Sequence, residues 1–523
     1  MFVRVSRVLL ALILAGWWAT AMAETPDDVS VQETPLANLN QPIGNLSIDA
    51  DAPESTIQFA LGPTIEPSGG RLVLNLRPAP RNRSALLVMV NNSRAVRIEP
   101  ADQPILAEID LPSSTLQSGT NLVTIVLEDQ DQGYWSLDGS ESRLRVEYQN
   151  AAGLASLGSA EAAMMADFPR LDRIHIEDQP DEIMLESILA QGVALRMNRT
   201  PEFVANAADA DISIGFELDA DLTGPEIRFD SQGPHQILIA GRQRRDLETV
   251  ARVFASRSIR SGSQVFRVAD ALNAGVIGRE STQSIPYSSA LGSFANAQLP
   301  FGEGRGAQAS VIVTEPDGEA RLAALSIMSR TALAHQTAWI YAWYGTNSFD
   351  APADRHTVFI GTGALTDRAF VRGAPAEFRT ALRAAAAQTG QRNSLRLSSA
   401  AYADDLLPAA SGVATAFTDP ENPTRWIAGF TSPRPSGFLR ASQMLSRSDH
   451  WSALNGRAAF WDEGGVTAYD YSVDDDISLA QRYGLPELTP REIAFVLFML
   501  AGLFLLRAIW RRRRIHDKST GWR

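Results

Sequence analysis

The sequence predicts a multidomain protein: a jelly-roll-like β-sandwich, then two α/β units, then one C-terminal transmembrane helix. Three patterns carry this prediction. Apolar and polar residues alternate over 44–150, helical periodicity is interleaved with short apolar strands over 154–470, and an apolar run begins at Ile493. The 523-residue chain is 45% hydrophobic and 20% charged, so it can bury several cores.

Residues 1–23 have the three parts of a secretory signal peptide. Two arginines precede a short apolar run, and Ala21-Met22-Ala23 offers a cleavage site before Glu24. The alternative is an uncleaved anchor helix, for which the apolar run is short. Residues 24–43 are polar and contain prolines, which predicts a flexible leader.

Residues 44–150 predict the sandwich. Their period-two alternation is interrupted by turn residues such as Gly69-Gly70, Asn91-Asn92 and Gly119, a pattern typical of strands in antiparallel sheets. The predicted strands are 56–59, 71–76, 85–90, 95–98, 107–111, 121–127 and 142–148.

Two α/β units follow, at 154–277 and 309–470, separated by the loop-rich stretch 278–308. Because helices that alternate with strands usually connect parallel neighbours, both units are predicted to contain parallel sheets. The first unit has predicted helices at 183–191 and 246–255 and strands at 211–215 and 236–241. The second has predicted strands at 309–313, 357–360, 426–430 and 457–461 and helices at 319–334, 376–388 and 437–445.

The C-terminal part predicts a membrane anchor. Residues 474–490 have the mixed spacing of a membrane-surface segment, and 493–510 nearly crosses a bilayer at about 1.5 Å per residue. The predicted anchor residues are Ile493, Phe495, Leu500, Leu506 and Trp510. Arg511, Arg512, Arg513 and Arg514 make the tail 511–523 cytoplasmic by the positive-inside rule. We therefore expect a single-pass protein of a bacterial inner membrane, with its bulk in the periplasm.

Composition excludes several functions. The formal net charge of -13 argues against a nucleic-acid partner. The chain has no cysteine, so disulfides and thiolate metal sites are excluded. The six histidines lack the spacing of metal ligands, and no cofactor is expected.

Several stretches together resemble the periplasmic B subunit of bacterial cellulose synthase. In the second α/β unit the resemblance rests on 426–460, where Trp-x-x-Leu-x-Gly leads into a strand. The ending, an amphipathic segment before one span, is also similar. In the sandwich, the residues that carry it are Asn91, Gly119, Asn121, Trp135, Ser142 and Leu144.

The resemblance implies a carbohydrate-binding sandwich, two flavodoxin-like α/β domains and a non-catalytic subunit. Its implied partners are the catalytic cellulose synthase subunit, the nascent glucan and the lipid bilayer. Members of the family have a second carbohydrate-binding domain where this chain has only 278–308, which looks like a remnant of it. The open alternative is a stand-alone membrane-anchored periplasmic protein that binds or hydrolyses glycans.

Tyr134 and Trp135, placed in the loop before the last predicted strand, are the candidate glycan contacts. Sugar C–H faces pack on aromatic rings, so an exposed ring is the expected binding element. The alternative for Trp135 is a core position, as for many sandwich tryptophans. Tyr134 is then the exposed ring.

No catalytic residue is assigned. Glu315 with Asp317, Asp404-Asp405 and Asp474-Asp475-Asp476 lie in polar loops, which predicts solvated turns rather than a glycosidase pair. Gly361-Thr362-Gly363 follows a strand but lacks the rest of a phosphate-binding fingerprint, so a tight turn is predicted.

The family that the chain resembles is also described as cyclic di-GMP-binding. Arg368 with Arg372, and Arg267 with Asp270, have spacings found in receptors of this messenger. Such spacings are common in an arginine-rich chain, and the messenger is cytoplasmic. We therefore expect the catalytic partner, rather than this chain, to be the receptor.

Overall fold

A computed structural model describes residues 29–80, 82–93, 96–129, 133–150, 153–179, 183–230, 235–256, 265–267, 290–296, 300–397 and 411–470. The predicted signal peptide (1–23), membrane-surface segment (474–490), transmembrane span (493–510) and basic tail (511–523) lie outside these residues. Within the described part of the chain, no helix is long and apolar enough to cross a bilayer.

The predicted β-sandwich is present as two antiparallel sheets. Its strands are β1 (Ser30–Pro35), β2 (Asn45–Asp49), β3 (Glu54–Leu61), β4 (Ile65–Pro78), β5 (Leu86–Val90), β6 (Val96–Ile98), β7 (Ile105–Pro112), β8 (Gly119–Leu127), β9 (Tyr134–Asp138) and β10 (Arg143–Asn150). One sheet has the order β1-β10-β4-β9-β2, with β7 also paired to β4, and the other has the order β3-β8-β5-β6.

Alternation along the strands builds the core between the two sheets. Leu72 and Leu74 of β4 and Val123 and Ile125 of β8 are fully buried in one apolar cluster, while their sequence neighbours face outward. Successive side chains of a strand point to opposite faces of its sheet. Every second residue therefore enters the core when the two sheets face each other.

Residues 30–35, which the sequence assigned to a flexible leader, form an edge strand instead. β1 pairs antiparallel with β10 from Ser30 opposite Tyr148 to Pro35 opposite Arg143. Main-chain hydrogen bonds to β10 hold this strand, and its side chains are mostly polar. Hydrophobic alternation therefore gave no signal for it.

The first α/β unit contains one six-stranded sheet. Its elements are α1 (Leu157–Met164), β11 (Arg173–Ile176), α2 (Ile183–Met197), β12 (Glu202–Phe203), β13 (Ile212–Leu218), β14 (Glu226–Phe229), β15 (Ile237–Gly241), α3 (Arg244–Ala255) and β16 (Val265–Arg267). The order is β12-β11-β13-β15-β14-β16, and β14 and β16 run antiparallel to their neighbours. The prediction of a parallel sheet is thus wrong at this edge, because 230–236 is too short to hold a crossover helix.

The second unit has a seven-stranded sheet. Its elements are α4 (Ala290–Asn296), β17 (Ala309–Val313), α5 (Gly318–His335), β18 (Trp343–Gly345), β19 (His356–Ile360), α6 (Arg368–Gly373), α7 (Ala376–Leu397), β20 (Gly412–Thr418), β21 (Trp426–Thr431), α8 (Phe438–Leu445), α9 (Ser448–Ser452), β22 (Ala458–Asp462) and β23 (Gly465–Tyr469). The order is β18-β17-β19-β21-β20-β22-β23, and it too is parallel on one side only.

The two α/β units repeat one topology. The first six strands of the second sheet correspond one by one to the six strands of the first sheet, both in their order along the chain and in their directions. Helix α2 corresponds to α5, and these two helices pack against each other. The contacts are reciprocal, since α2 also contacts β18 and α5 contacts β12. This is the pattern of an interface between two copies of a unit, here joined in one chain.

One continuous apolar core runs through both units, from Leu154 to Trp461. Hydrogen bonds cross the helix interface as well. The Nε2 of Gln191 on α2 donates to the Oη of Tyr344 at 2.9 Å, and the Oγ of Ser329 on α5 donates to the carbonyl of Ala190 at 2.9 Å. The two units therefore form one packed body.

The stretch 278–308 is not a sandwich remnant in its described part. Helix α4 inserts Phe294 among the rings of Trp339 and Trp451, at centroid distances of 6.0 and 6.3 Å. The Nε1 of Trp451 also donates to the carbonyl of Ala295 at 2.8 Å. Helical spacing of buried residues places this segment in the α/β core.

Candidate functional site

Tyr134 and Trp135 lie on strand β9, rather than in a loop as the sequence suggested. β9 pairs with β2 on one side and with the end of β4 on the other. Successive residues of a strand point to opposite faces of the sheet. The two aromatic side chains therefore have different environments.

Trp135 is a core residue and is not available to a ligand. Its side chain is fully buried between the sheets, and its Nε1 donates to the carbonyl of Ser84 at 3.0 Å. The hydrogen bond satisfies the only polar atom of the ring. The alternative reading of Trp135 as a core residue is thus the right one.

Tyr134 is 41% exposed on the outer face of the six-stranded sheet. Its Oη lies 3.3 Å from the Oγ of Ser47 on the neighbouring strand. Its backbone nitrogen donates to the Oδ1 of Asn82 at 3.3 Å, and its carbonyl accepts from Ala79 at 3.1 Å. The strand pairing and these contacts hold the ring in place while one side stays open to solvent.

Polar groups surround this ring on the same face. Ser136 lies opposite both Ser47 and Arg77 in the strand register. The Nη2 of Arg77 lies 3.4 Å from the Oδ2 of Asp138. Hydrogen bonds from Ser140, helped by the charge of Arg77, lower the pKa of Asp138, so this carboxyl is ionised at neutral pH. We call Tyr134, Ser47, Ser136, Arg77 and Asp138 the Tyr134 face.

Beyond the Tyr134 face, the outer surface of this sheet is crossed by ion pairs. Arg71 contacts Glu108 at 2.9 Å and Asp110 at 3.1 Å, and Arg143 contacts Glu33 at 3.2 Å. All these side chains are exposed, so each pair contributes little to stability. Among the described residues on this surface, Tyr134 is the one aromatic side chain.

The sandwich residues that carry the family resemblance have structural roles. The Nδ2 of Asn91 donates to the Oδ1 of Asn121 at 2.8 Å, and the Oδ1 of Asn91 accepts from Leu122 at 2.8 Å. Gly119 has a φ of 89°, a conformation that glycine adopts without strain. The buried Oγ of Ser142 accepts from the backbone of Asn75 at 2.9 Å. These contacts stabilise the turns against the neighbouring strands, and the residues do not form a binding site.

A cavity of about 390 Å³ lies where the sandwich meets the first α/β unit. Gln58, Thr120 and Asn198 line it with amide and hydroxyl groups. Asp167 in its wall accepts from the backbone nitrogens of Asn40 at 2.7 Å and Ala60 at 2.8 Å. Burial raises the pKa of Asp167. No local sequence pattern predicts this cavity, because its residues come from distant segments.

Of the carboxylate candidates Glu315 and Asp317, which both lie in the described part of the chain, Asp317 is exposed and Glu315 is occupied by an internal contact. Glu315 accepts from the Oγ1 of Thr362 at 2.5 Å and 2.7 Å through its two oxygens, and from the backbone nitrogen of Thr362 at 3.3 Å. Gly361, before it, has a φ of 126°. Gly361-Thr362-Gly363 is therefore a tight turn that binds a side chain of the protein itself. Asp404-Asp405 and Asp474-Asp475-Asp476 lie outside the described residues.

One serine between two histidines was not anticipated. The Oγ of Ser213 lies 2.9 Å from the Nδ1 of His175 and 2.7 Å from the Nδ1 of His235. The two imidazole rings are stacked 5.9 Å apart. Ser213 is 1% exposed, so a substrate cannot reach its hydroxyl. Desolvation and the neighbouring His235 lower the pKa of His175, which keeps it neutral.

The arginine spacing considered for cyclic di-GMP does not form a described binding loop. Arg368 is exposed at the start of α6, and Arg372 lies 3.6 Å from Glu421. The side chains of Arg267 and Asp270 lie outside the described residues. Across the described ranges, no three histidine, aspartate or glutamate side chains are grouped to hold a metal ion.

No protein-family model matches the sequence. No curated protein matches it either. Solved structures give partial likenesses only. A family two carbohydrate esterase from Cellvibrio japonicus is 18% identical, with a TM-score of 0.15, over 29% of this chain and 40% of that chain. A family 35 carbohydrate-binding module from an environmental isolate is 18% identical, with a TM-score of 0.15, over 19% of this chain and 71% of that chain.

A third likeness is to the CBM36-1 domain of a multidomain xylanase from the hindgut metagenome of Trinervitermes trinervoides. It is 11% identical, with a TM-score of 0.17, and the match covers 24% of this chain and 100% of that chain. TM-scores this low do not establish a shared fold. The functional interpretation therefore depends on the residues themselves.

Proposed function

We propose that this protein is a non-catalytic, glycan-binding subunit of a cellulose or related β-glucan synthase, anchored in a bacterial inner membrane with its bulk in the periplasm. The observation that carries the glycan-binding part is the exposed ring of Tyr134 among polar groups. The sequence resemblance to the periplasmic B subunit of cellulose synthase supports the remainder.

The chemistry of the Tyr134 face suits a neutral sugar. A pyranose ring has apolar C–H faces, which pack on a phenol ring, and a rim of hydroxyl groups. Ser47, Ser136 and the Arg77–Asp138 pair offer donors and acceptors to that rim. One exposed ring gives weak binding. Weak binding suits a polymer that must move past the protein while it is made.

The environments of the carboxyl groups Asp138 and Glu315 support a non-catalytic role. A glycosidase needs two carboxyl groups about 5–10 Å apart across the sugar, one of them with a raised pKa. On the Tyr134 face the carboxyl is Asp138, whose pKa is lowered instead. In the second α/β unit, Glu315 is bound by Thr362.

The predicted span 493–510 gives the proposed contact with the synthase. In this proposal the span packs against the membrane-embedded catalytic subunit, and Arg511–Arg514 keep its end in the cytoplasm. The sandwich and the α/β body receive the emerging glucan. The messenger cyclic di-GMP would act on the catalytic partner.

The synthase role is tested by co-purification in detergent with the membrane-embedded glycosyltransferase that this proposal requires. The variants are a chain truncated before Ile493 and a chain in which 493–510 is replaced by leucines of equal number. We expect both to lose the complex and polymer synthesis, although the leucine variant stays in the membrane. Polymer synthesis that survives the truncation contradicts the synthase role. Retained glycan binding without any glycosyltransferase partner would favour the stand-alone alternative.

A further inference from the structure

A cavity of about 570 Å³ lies between the two α/β units, beside the end of α2. The connection 198–201 that follows α2 and Glu202, the first residue of β12, form one wall, and Ser326 and Arg330 of α5 form another. Gln443 of α8 and the three residues Ser446, Arg447 and Ser448 that follow this helix complete it. Asn198 lines both cavities.

The lining of this cavity concentrates positive charge in an acidic protein. Arg199, Arg330 and Arg447 line it, against one carboxylate, Glu202. The other lining residues are uncharged, and most carry hydroxyl or amide donors. Arg199 is paired with Asp172 at 2.7 Å, and the exposed side chain of Arg447 is paired with Asp449 at 3.3 Å, so the charge of the cavity that lacks a described carboxylate partner is that of Arg330.

Arg330 has no ionic partner among the described residues. Its guanidinium carbon lies 5.9 Å from the centre of the Trp451 ring, and its buried Nε has no hydrogen-bond acceptor. Arg199 is bound to Asp172 and Asn40, yet its buried Nη2 also has no acceptor. Burial lowers the pKa of both side chains. Buried donors without acceptors are costly, and a bound oxyanion would satisfy them.

The repeated topology shows that the cavity is not required by the fold. At the equivalent place in the other unit, the connection 336–342 fills the space. The backbone nitrogen of Trp339 there donates to the Oε1 of Gln191 at 2.8 Å, and the Nε of Arg252 donates to the carbonyl of Ile340 at 3.1 Å. Trp339 is fully buried. The shorter connection 198–201 leaves its counterpart open.

We propose that this arginine-lined cavity binds an oxyanion, a phosphate or a carboxylate, carried by a small molecule or by an anionic substituent of a glycan. Arginine forms paired hydrogen bonds with both groups. This cavity is separate from the Tyr134 face. Its binding of an anion does not depend on whether that face binds a neutral glucan.

Isothermal titration of the full-length protein in detergent with inorganic phosphate and with glucuronate tests this, with glucose as the neutral probe. Arg330→Gln and Arg447→Gln each remove one positive charge from the cavity. Arg440→Gln is the matched control, because Arg440 lies on the same helix as Gln443 but its exposed side chain pairs with Glu463 instead. We expect the cavity variants to weaken anion binding about tenfold and Arg440→Gln to leave it unchanged. Glu202→Gln should strengthen binding, a change that a purely structural role would not produce.

The stronger of the two anions identifies the class of ligand, since phosphate and carboxylate compete for the same donors. If Arg330→Gln does not fold, Arg447→Gln decides the result alone, because its side chain is 62% exposed. Binding of neither anion overturns the proposal. Equal weakening by Arg440→Gln and Arg447→Gln overturns it too, since the effect would then be one of overall charge.

Discussion

Arg321 of α5 donates from its Nε to the Oε2 of Glu186 on α2 at 2.5 Å, and both side chains are almost completely buried. The Nη2 of Arg321 also donates to the carbonyl of Ile176 at 2.6 Å. Arg321 thus joins the two α/β units through buried hydrogen bonds in addition to apolar packing.

Replacing Arg321 with methionine should lower the free energy of unfolding by about 3 kcal/mol. The variant leaves the carbonyl of Ile176 without this donor and Glu186 without its cation. Urea denaturation followed by circular dichroism measures the change. The matched control is Arg143→Met, which removes an exposed pair with Glu33 and should cost less than about 0.5 kcal/mol. Equal losses would show that the buried pair does not join the units.

Glu186 should make stability fall as the pH rises towards neutrality. Burial raises the pKa of Glu186 to about 7 from an ordinary value of 4.5, although Arg321 acts in the opposite direction. Between these values the folded state binds more protons than the unfolded state, so the free energy of unfolding decreases with pH. Glu186→Gln does not titrate. The stability of the natural protein minus that of this variant should therefore shrink between about pH 5 and about pH 7. A difference that grows over that range contradicts the assignment.

His335 should have the opposite effect in an overlapping range. Burial lowers its pKa to about 4 from 6.5. As a neutral ring, it donates from Nε2 to the carbonyl of Phe294 at 2.6 Å and accepts from the Nε1 of Trp339 at 3.3 Å. Its contribution is complete above the unfolded pKa and is lost as the pH falls from about 6.5 to about 4. In His335→Gln this loss should be absent, which thermal unfolding across that range would detect.

The two neighbours on β9 should respond differently to truncation. Trp135→Ala removes a fully buried indole and its hydrogen bond to Ser84, so we expect a loss of about 3–5 kcal/mol in unfolding free energy. Tyr134→Ala should change stability by about 0.5 kcal/mol or less, because its ring is exposed. Chemical denaturation of both variants measures this. Comparable losses would mean that Tyr134 is also a core residue.

Strands and helices with clear periodicity could be predicted from the sequence. The strand predicted at 309–313 has those bounds in the structure, and the helix predicted at 319–334 is α5, Gly318–His335. Strands with little apolar alternation were missed. β1 is a polar edge strand, and β9 is short and follows a loop. For such strands the partner strand, rather than the local sequence, provides the stability.

The sites depended on contacts between distant segments. Tyr134 could be predicted from the sequence, because an aromatic pair beside a strand is visible locally. The arginine-lined cavity could not be predicted, since Arg199, Arg330 and Arg447 meet only after α2 and α5 have packed. The repeated topology of the two units was also hidden, because the repeat lies in strand order rather than in residue pattern.

Affinity electrophoresis in gels containing a soluble β-1,4-glucan tests the central claim, glycan binding by the Tyr134 face, most directly. The natural protein is compared with Tyr134→Ala and with a matched variant, Phe349→Ala, which removes a 96% exposed ring from the second α/β unit. We predict that the glucan retards the natural protein and Phe349→Ala equally, and that Tyr134→Ala loses about tenfold in affinity. Equal retardation of all three proteins, or none of any, would contradict the account.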